Sequence, residues 1–190
     1  AIADFNLAAG GQILKLEAGS TSKDLSYTNL AGKAMTPSLR APSGLVDGEV
    51  TLNRLQAAPS MGNKPPKLDI GQTGINFNLK PNETSTRSSA RAITDLEPLL
   101  DGLATTNKRL AYFSYDAPTG QEAPVATPFT YDPVKKAGAR FFDVSGDGKA
   151  DTVDLQFIDG GYGDKDGVKN GVVVDPSTAG VVSLTPVFTA

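Results

Sequence analysis

The chain contains no cysteine, no histidine and no tryptophan. Without cysteine there can be no disulfide, zinc–thiolate site, iron–sulfur cluster or thiol nucleophile. Without histidine the usual general base of hydrolases and the commonest transition-metal ligand are both missing, so zinc, copper and haem chemistry are not expected. Aromatic residues make up only 7 %. No apolar run approaches the length needed to cross a bilayer, so no transmembrane segment is predicted. Nor is there a basic stretch interleaved with aromatics, which leaves nucleic-acid binding without an electrostatic footprint.

What is present is a turn-rich chain of 190 residues with 39 % hydrophobic and 21 % charged residues, 20 Gly and 13 Pro. That length can bury its own core, and that composition leaves little room for long helices. Apolar and polar residues alternate in Gly74–Leu79, with Ile75, Phe77 and Leu79 on one face, and again in Thr152–Ile158, with Val153, Leu155 and Phe157 on one face. Gln12–Glu17, Gly48–Leu55, Lys108–Tyr115, Ala139–Phe142, Gly171–Asp175 and Val181–Leu184 also read as strands. Residues 81–92 read as an exposed loop, with a formal glycosylation sequon at Asn82–Thr84. Thr94-Asp-Leu-Glu97 has capping-box spacing, which predicts one short helix near 95–105. Short strands with turn signals about every ten residues predict a mainly β fold, an antiparallel β-sandwich of jelly-roll or Ig-like type with at most one or two short helices. Residues 1–190 are expected to form one domain, with 1–70 open to a role as an N-terminal extension or assembly segment.

The net charge of −3 is unevenly spread. Segment 143–175 holds eight Asp, no Glu and three Lys, a balance of −5; the other 15 basic and 13 acidic residues balance at +2. Within that segment, Asp143, Ser145, Asp147, Asp151 and Asp154 stand at positions 1, 3, 5, 9 and 12 of a loop, with Gly148 at position 6 and Lys149 at position 7, where only the backbone carbonyl would be offered. This is EF-hand-type spacing with Asp in place of the usual bidentate Glu. Carboxylates about 4 Å apart repel by roughly 4 kcal/mol per pair at an effective dielectric near 20, and a bound cation reverses that sign. The loop predicts Ca²⁺. Because the flanking segments read as strands, an EF-hand or dockerin fold is not expected.

A second acidic run follows at Asp159-Gly-Gly-Tyr-Gly-Asp164-Lys-Asp166-Gly-Val-Lys-Asn170-Gly-Val-Val-Val-Asp175-Pro176. Asp159, Asp164, Asp166, Asn170 and Asp175 are candidate ligands of a second calcium site or of a completed first one; the alternative is a Gly-rich hairpin loop whose Asp and Asn side chains cap their own backbone. Together with Tyr131–Asp151, this run resembles the C-terminal signature of the choice-of-anchor U type domain, D-G-G-x-G-D-x-D-G-x-x-N-G-x-x-x-D-P, at every fixed position. The resemblance covers about 45 residues in the region 131–180 and implies an extracellular, β-rich module of large secreted surface proteins of cyanobacteria and other Gram-negative bacteria.

The expected function is therefore that of a calcium-stabilised structural or adhesive module, extracellular or at the cell surface, with copies of itself or other surface proteins as partners. A calcium-dependent carbohydrate-binding module is the alternative, with glycans as partners and Tyr112, Phe113, Tyr115, Tyr131 and Tyr162 as available aromatics. An enzyme is not expected, since carboxylates committed to a metal cannot readily serve as paired catalytic acids.

Overall fold

In the computed structural model of the chain the described residues are 12–17, 23–24, 27–28, 31–35, 38–40, 45–55, 57–61, 67–81, 89–101, 103–116 and 124–183. They are mainly β and contain no helix, and hence none long and apolar enough to cross a membrane. The strands are β1 (Gln12–Glu17), β2 (Lys23–Asp24), β3 (Tyr27–Thr28), β4 (Ala34–Met35), β5 (Ser38–Arg40), β6 (Leu45–Arg54) and β7 (Leu68–Ile70). They continue with β8 (Thr73–Pro81), β9 (Ser89–Asp95), β10 (Lys108–Tyr115), β11 (Ala126–Pro128), β12 (Gly138–Phe142), β13 (Thr152–Ile158) and β14 (Val173–Ser183).

Two antiparallel sheets carry the fold. The larger runs β1-β6-β8-β14-β10-β11, with β7 beside β14; the smaller runs β12-β13-β9-β5-β2, and β3 pairs with β4 on its own. The alternation noted in the sequence decides which faces meet. Ile75, Phe77 and Leu79 of β8 and Val153, Leu155 and Phe157 of β13 are all fully buried, and they share one hydrophobic core with Val50, Leu52, Ala92 and Val173. Phe77 and Phe157 join the sheets at a centroid separation of 5.5 Å, and Phe129 stacks on Phe157 at 5.4 Å. Two antiparallel sheets around one core are the sandwich arrangement. Strands from residues 12–54 belong to both sheets, so this part of the N-terminal region is integral to the architecture.

Three local expectations are corrected. The capping-box spacing at Thr94–Glu97 does not start a helix: Thr94 lies in β9, and residues 97–101 make turns closed by Leu99 N–H and Leu100 N–H donating to Leu96 O. Pro98 has no N–H to extend such a turn into a longer ladder. Residues from Ser89 onward are strand and not loop, while the sequon at 82–84 lies outside the described residues. The segments Gly171–Asp175 and Val181–Leu184 belong largely to one strand, β14, which continues through Pro176.

Pro176 is tolerated for a geometric reason. Val174 turns its backbone away from β8: its N–H donates to Asp164 and its carbonyl accepts from Lys165 N–H. Two residues on, Pro176 faces the same edge, just short of Ser177, where pairing with β10 begins. Its missing N–H therefore removes no ladder bond.

Phe157 is the test of the shared core. Phe157→Ala should lower stability by about 3–5 kcal/mol, the range for deleting a large buried aromatic. A urea melt reads this as a lower midpoint with an unchanged slope.

Candidate metal centre

Strand β12 ends at Phe142 and β13 begins at Thr152, so residues 143–151 form the connection of an antiparallel hairpin. Asp151 is tied at both backbone ends, its N–H to Phe142 O at 2.9 Å and its carbonyl to Leu96 N–H at 2.9 Å. Gly148 stands at φ +84°, a conformation that glycine adopts without strain, and this turns the loop back on itself. The result brings one carboxylate oxygen each from Asp143, Asp147 and Asp151 within 4.8 Å of one another. Oxygens that share a calcium ion at 2.3–2.6 Å can lie at most about 5.2 Å apart, so the three carboxylates fit such an ion.

Backbone amides support these carboxylates. Asp143 accepts from Gly146 N–H at 2.8 Å and Gly148 N–H at 2.7 Å, and from the Ser145 hydroxyl at 3.2 Å. Asp151 accepts from Val144 N–H, Ser145 N–H and the Thr152 hydroxyl. Asp147 accepts only from Lys149 N–H at 2.9 Å. A carboxylate has about four acceptor sites, so Asp147 keeps most of its capacity. The Gly148 N–H is the main cause that holds the Asp143 carboxyl below the usual range, and the Thr152 hydroxyl is the main one at Asp151. These hydrogen bonds thus favour the ionised form of both side chains. Ser145 and Lys149 serve the loop through these bonds, and both are exposed.

Asp154, the expected position 12, is not in the triad. It lies inside β13 on the face opposite Val153 and Leu155, directly across from Arg140 and diagonal to Arg91. Arg91 clamps both of its oxygens, and Arg140 approaches at 3.7 Å. Counting loop positions missed this because the strand begins at Thr152. Alternate arginines on the flanking strands were the available signal.

In the second run the Asp and Asn side chains bond mainly to the loop's own backbone. Asp159 accepts from Asn170 N–H at 3.3 Å and Gly171 N–H at 2.7 Å. Asp164 accepts from Gly160 N–H and Val174 N–H, and Asp166 from Val168 N–H and the Asn170 amide. Asn170 Oδ1 accepts from Val172 N–H. These bonds are the self-capping alternative, and among the described residues these side chains do not gather as the first three do. Gly163, at φ +90°, lies where a Cβ would strike the Phe129 ring at 2.6 Å, so the loop folds down onto the core.

Asp175 sits in the core. It is fully buried in β14, its Oδ1 accepts from the Ser114 hydroxyl at 2.6 Å, and its Oδ2 has no hydrogen-bond partner. Burial pushes its pKa up to about 8, opposed by the Ser114 hydroxyl. Burial likewise raises Asp164, whereas the Val168 N–H lowers Asp166. The aromatics considered for sugar stacking are also committed elsewhere. Tyr112, Phe113 and Tyr115 are buried, Arg140 covers Tyr131 at 4.3 Å, and Tyr162 packs on Phe129 under Lys135. Beside the triad runs a groove of about 1220 Å³, lined by Asp95, Leu100, Asp101, Arg109 and Phe141 together with Asp147 and Asp151.

A raised acid stabilises the fold fully below its unfolded pKa of about 3.9, and that contribution is lost as pH rises through the folded value. The Asp175 contribution should therefore decline from about pH 4 to about pH 8. Thermal melts of Asp175→Asn should lose most of this decline, and an identical pH profile would contradict a neutral buried carboxyl. Comparison with known proteins finds no matching family model, no matching curated protein and no matching solved structure.

Proposed function

We propose that this chain is a calcium-stabilised structural or adhesive module of an extracellular or cell-surface assembly. The observation that carries the reading is the convergence of Asp143, Asp147 and Asp151 on one point at the end of the β12–β13 hairpin. Calcium supplies positive charge and six to eight coordination positions; the loop supplies three carboxylates with room for further oxygens. An ion bound by the folded loop and not by the unfolded chain adds about 2.7 kcal/mol when its concentration is 100 times its dissociation constant. Extracellular modules bind at roughly 10⁻⁴ to 10⁻³ M, so such a site fills outside a cell and empties inside it. The resemblance of the C-terminal signature to choice-of-anchor U type domains supports the same location. Self-assembly through sheet edges belongs to this reading.

A calcium-dependent carbohydrate-binding module is the second reading, favoured by the groove that shares Asp147 and Asp151 with the triad. A sugar there would rely on hydroxyl contacts to the ion and to polar groove residues, with Phe141 as the one aromatic residue in the groove lining. Glycan-array binding that disappears with chelator would favour it over the first reading.

Saturating calcium should raise the melting temperature by about 5–10 °C over the chelated protein, since 1 kcal/mol is worth roughly 2–4 °C at this size. Magnesium, with its stricter octahedral demand, should do much less. Asp147→Asn should abolish most of the calcium shift yet change the chelated protein by less than about 0.5 kcal/mol, because Asp147 is exposed and accepts one loop bond. Equal melting in calcium and chelator would refute the proposal.

A further inference from the structure

We propose that Asn170–Gly171 is a latent covalent modification site, and that Asp159 holds it closed in the folded loop. The pair is exposed at Asn170, and the glycine that follows has no Cβ to obstruct ring closure. The chemistry needs only water and a base. Gly171 N loses its proton and bonds to Asn170 Cγ, the Cγ–Nδ2 bond breaks, and Nδ2 leaves as ammonia. Water then opens the resulting succinimide at either carbonyl, leaving aspartate or isoaspartate at position 170.

Each atom that must move is restrained. The N–H that must ionise donates to Asp159 Oδ2 at 2.7 Å, and the neighbouring Asn170 N–H donates to the other oxygen at 3.3 Å. Asp159 is only 4 % exposed, so a developing negative nitrogen would face a poorly hydrated carboxylate. The electrophile is fixed as well: Asn170 Oδ1 accepts from Val172 N–H at 3.1 Å, and Nδ2 donates to Asp166 Oδ2 at 3.1 Å.

Conversion would have a structural consequence. The donor that Asp166 now receives would become a second carboxylate at hydrogen-bond distance, which replaces attraction by repulsion within the loop. The site therefore couples loss of the 159–172 fold to a one-way gain of negative charge. This inference does not depend on calcium.

Peptide mapping by mass spectrometry tests it. Wild type, wild type in denaturant and Asp159→Ala are incubated in mildly alkaline buffer, and converted residue 170 is quantified over time. Alanine is chosen because asparagine at 159 would create a second such pair with Gly160. Folded wild type should convert at least about tenfold more slowly than the denatured chain, the scale set by a hydrogen bond to a charged acceptor. Asp159→Ala, shown to be folded by circular dichroism, should convert faster than folded wild type while the restraints on the Asn170 amide keep it below the denatured rate. Equal rates for folded and denatured wild type overturn the proposal, as does an unchanged rate in the folded variant. Should the variant fail to fold, amide hydrogen exchange on wild type decides. The Gly171 N–H should exchange at least about tenfold more slowly than in the unfolded chain, and free exchange overturns the lock.

Discussion

Eight aspartates between residues 143 and 175 cannot be folded together unless each charge is compensated, and this constraint organises the C-terminal third of the molecule. Three kinds of compensation are used. Backbone N–H groups serve Asp143, Asp147, Asp151, Asp159, Asp164 and Asp166. Guanidinium groups serve Asp154. Burial serves Asp175 by pushing it towards the neutral acid, with Ser114 as donor. Backbone donors are the most frequent solution because glycine-rich turns expose several N–H groups to one side. Compensation is least complete at Asp147, which is also where three carboxylates converge. On the proposed reading, a cation would be shared by all three there.

The sheets determine which compensation each aspartate receives. Asp154 falls on the outer face of β13 because Val153 and Leu155 must face the core, and the outer face is where Arg91 and Arg140 project. Asp175 falls on the inner face because it is registered against Phe77, a core residue of β8. Two residues with the same chemistry and similar sequence surroundings thus become an ion pair and a buried acid. Strand parity alone separates them.

This parity explains how much was legible beforehand. Gln12–Glu17, Lys108–Tyr115 and Thr152–Ile158 are strands with the expected bounds, and the inward sets of β8 and β13 are those that alternation implies. Period-2 patterning is a local property, and it survives folding when one face is buried. Asp143, Asp147 and Asp151 were legible for a similar reason, since a tight loop holds its side chains by local turns. Asp154, Asp159, Asp164 and Asp175 were not, because their partners lie across strands or across the loop, from Arg91 to Ser114. Spacing along the chain carries no information on register between chain segments. The single strand through Pro176 was hidden likewise, since proline marks a break unless the free edge of the strand is known.

The position of the triad explains why an ion there would matter to the whole domain. Asp151 is fastened to Phe142 at the end of β12 and to Leu96 just after β9, so its backbone links the edge of the smaller sheet to the turn that follows its central strand. β13 lies between these two strands and contributes Val153, Leu155 and Phe157 to the core. Pulling Asp143, Asp147 and Asp151 together would thus close the mouth of a hairpin whose other end is already anchored by aromatic packing. Stabilisation by an ion would spread into the core through covalent continuity and would not remain a property of the loop. A groove ligand acting only through the ion would have to draw on that same linkage, so any sugar affinity would rise and fall with fold stability. For this reason the stabilising role is the more economical of the two readings: it asks of the ion only what the geometry of Asp151 already transmits.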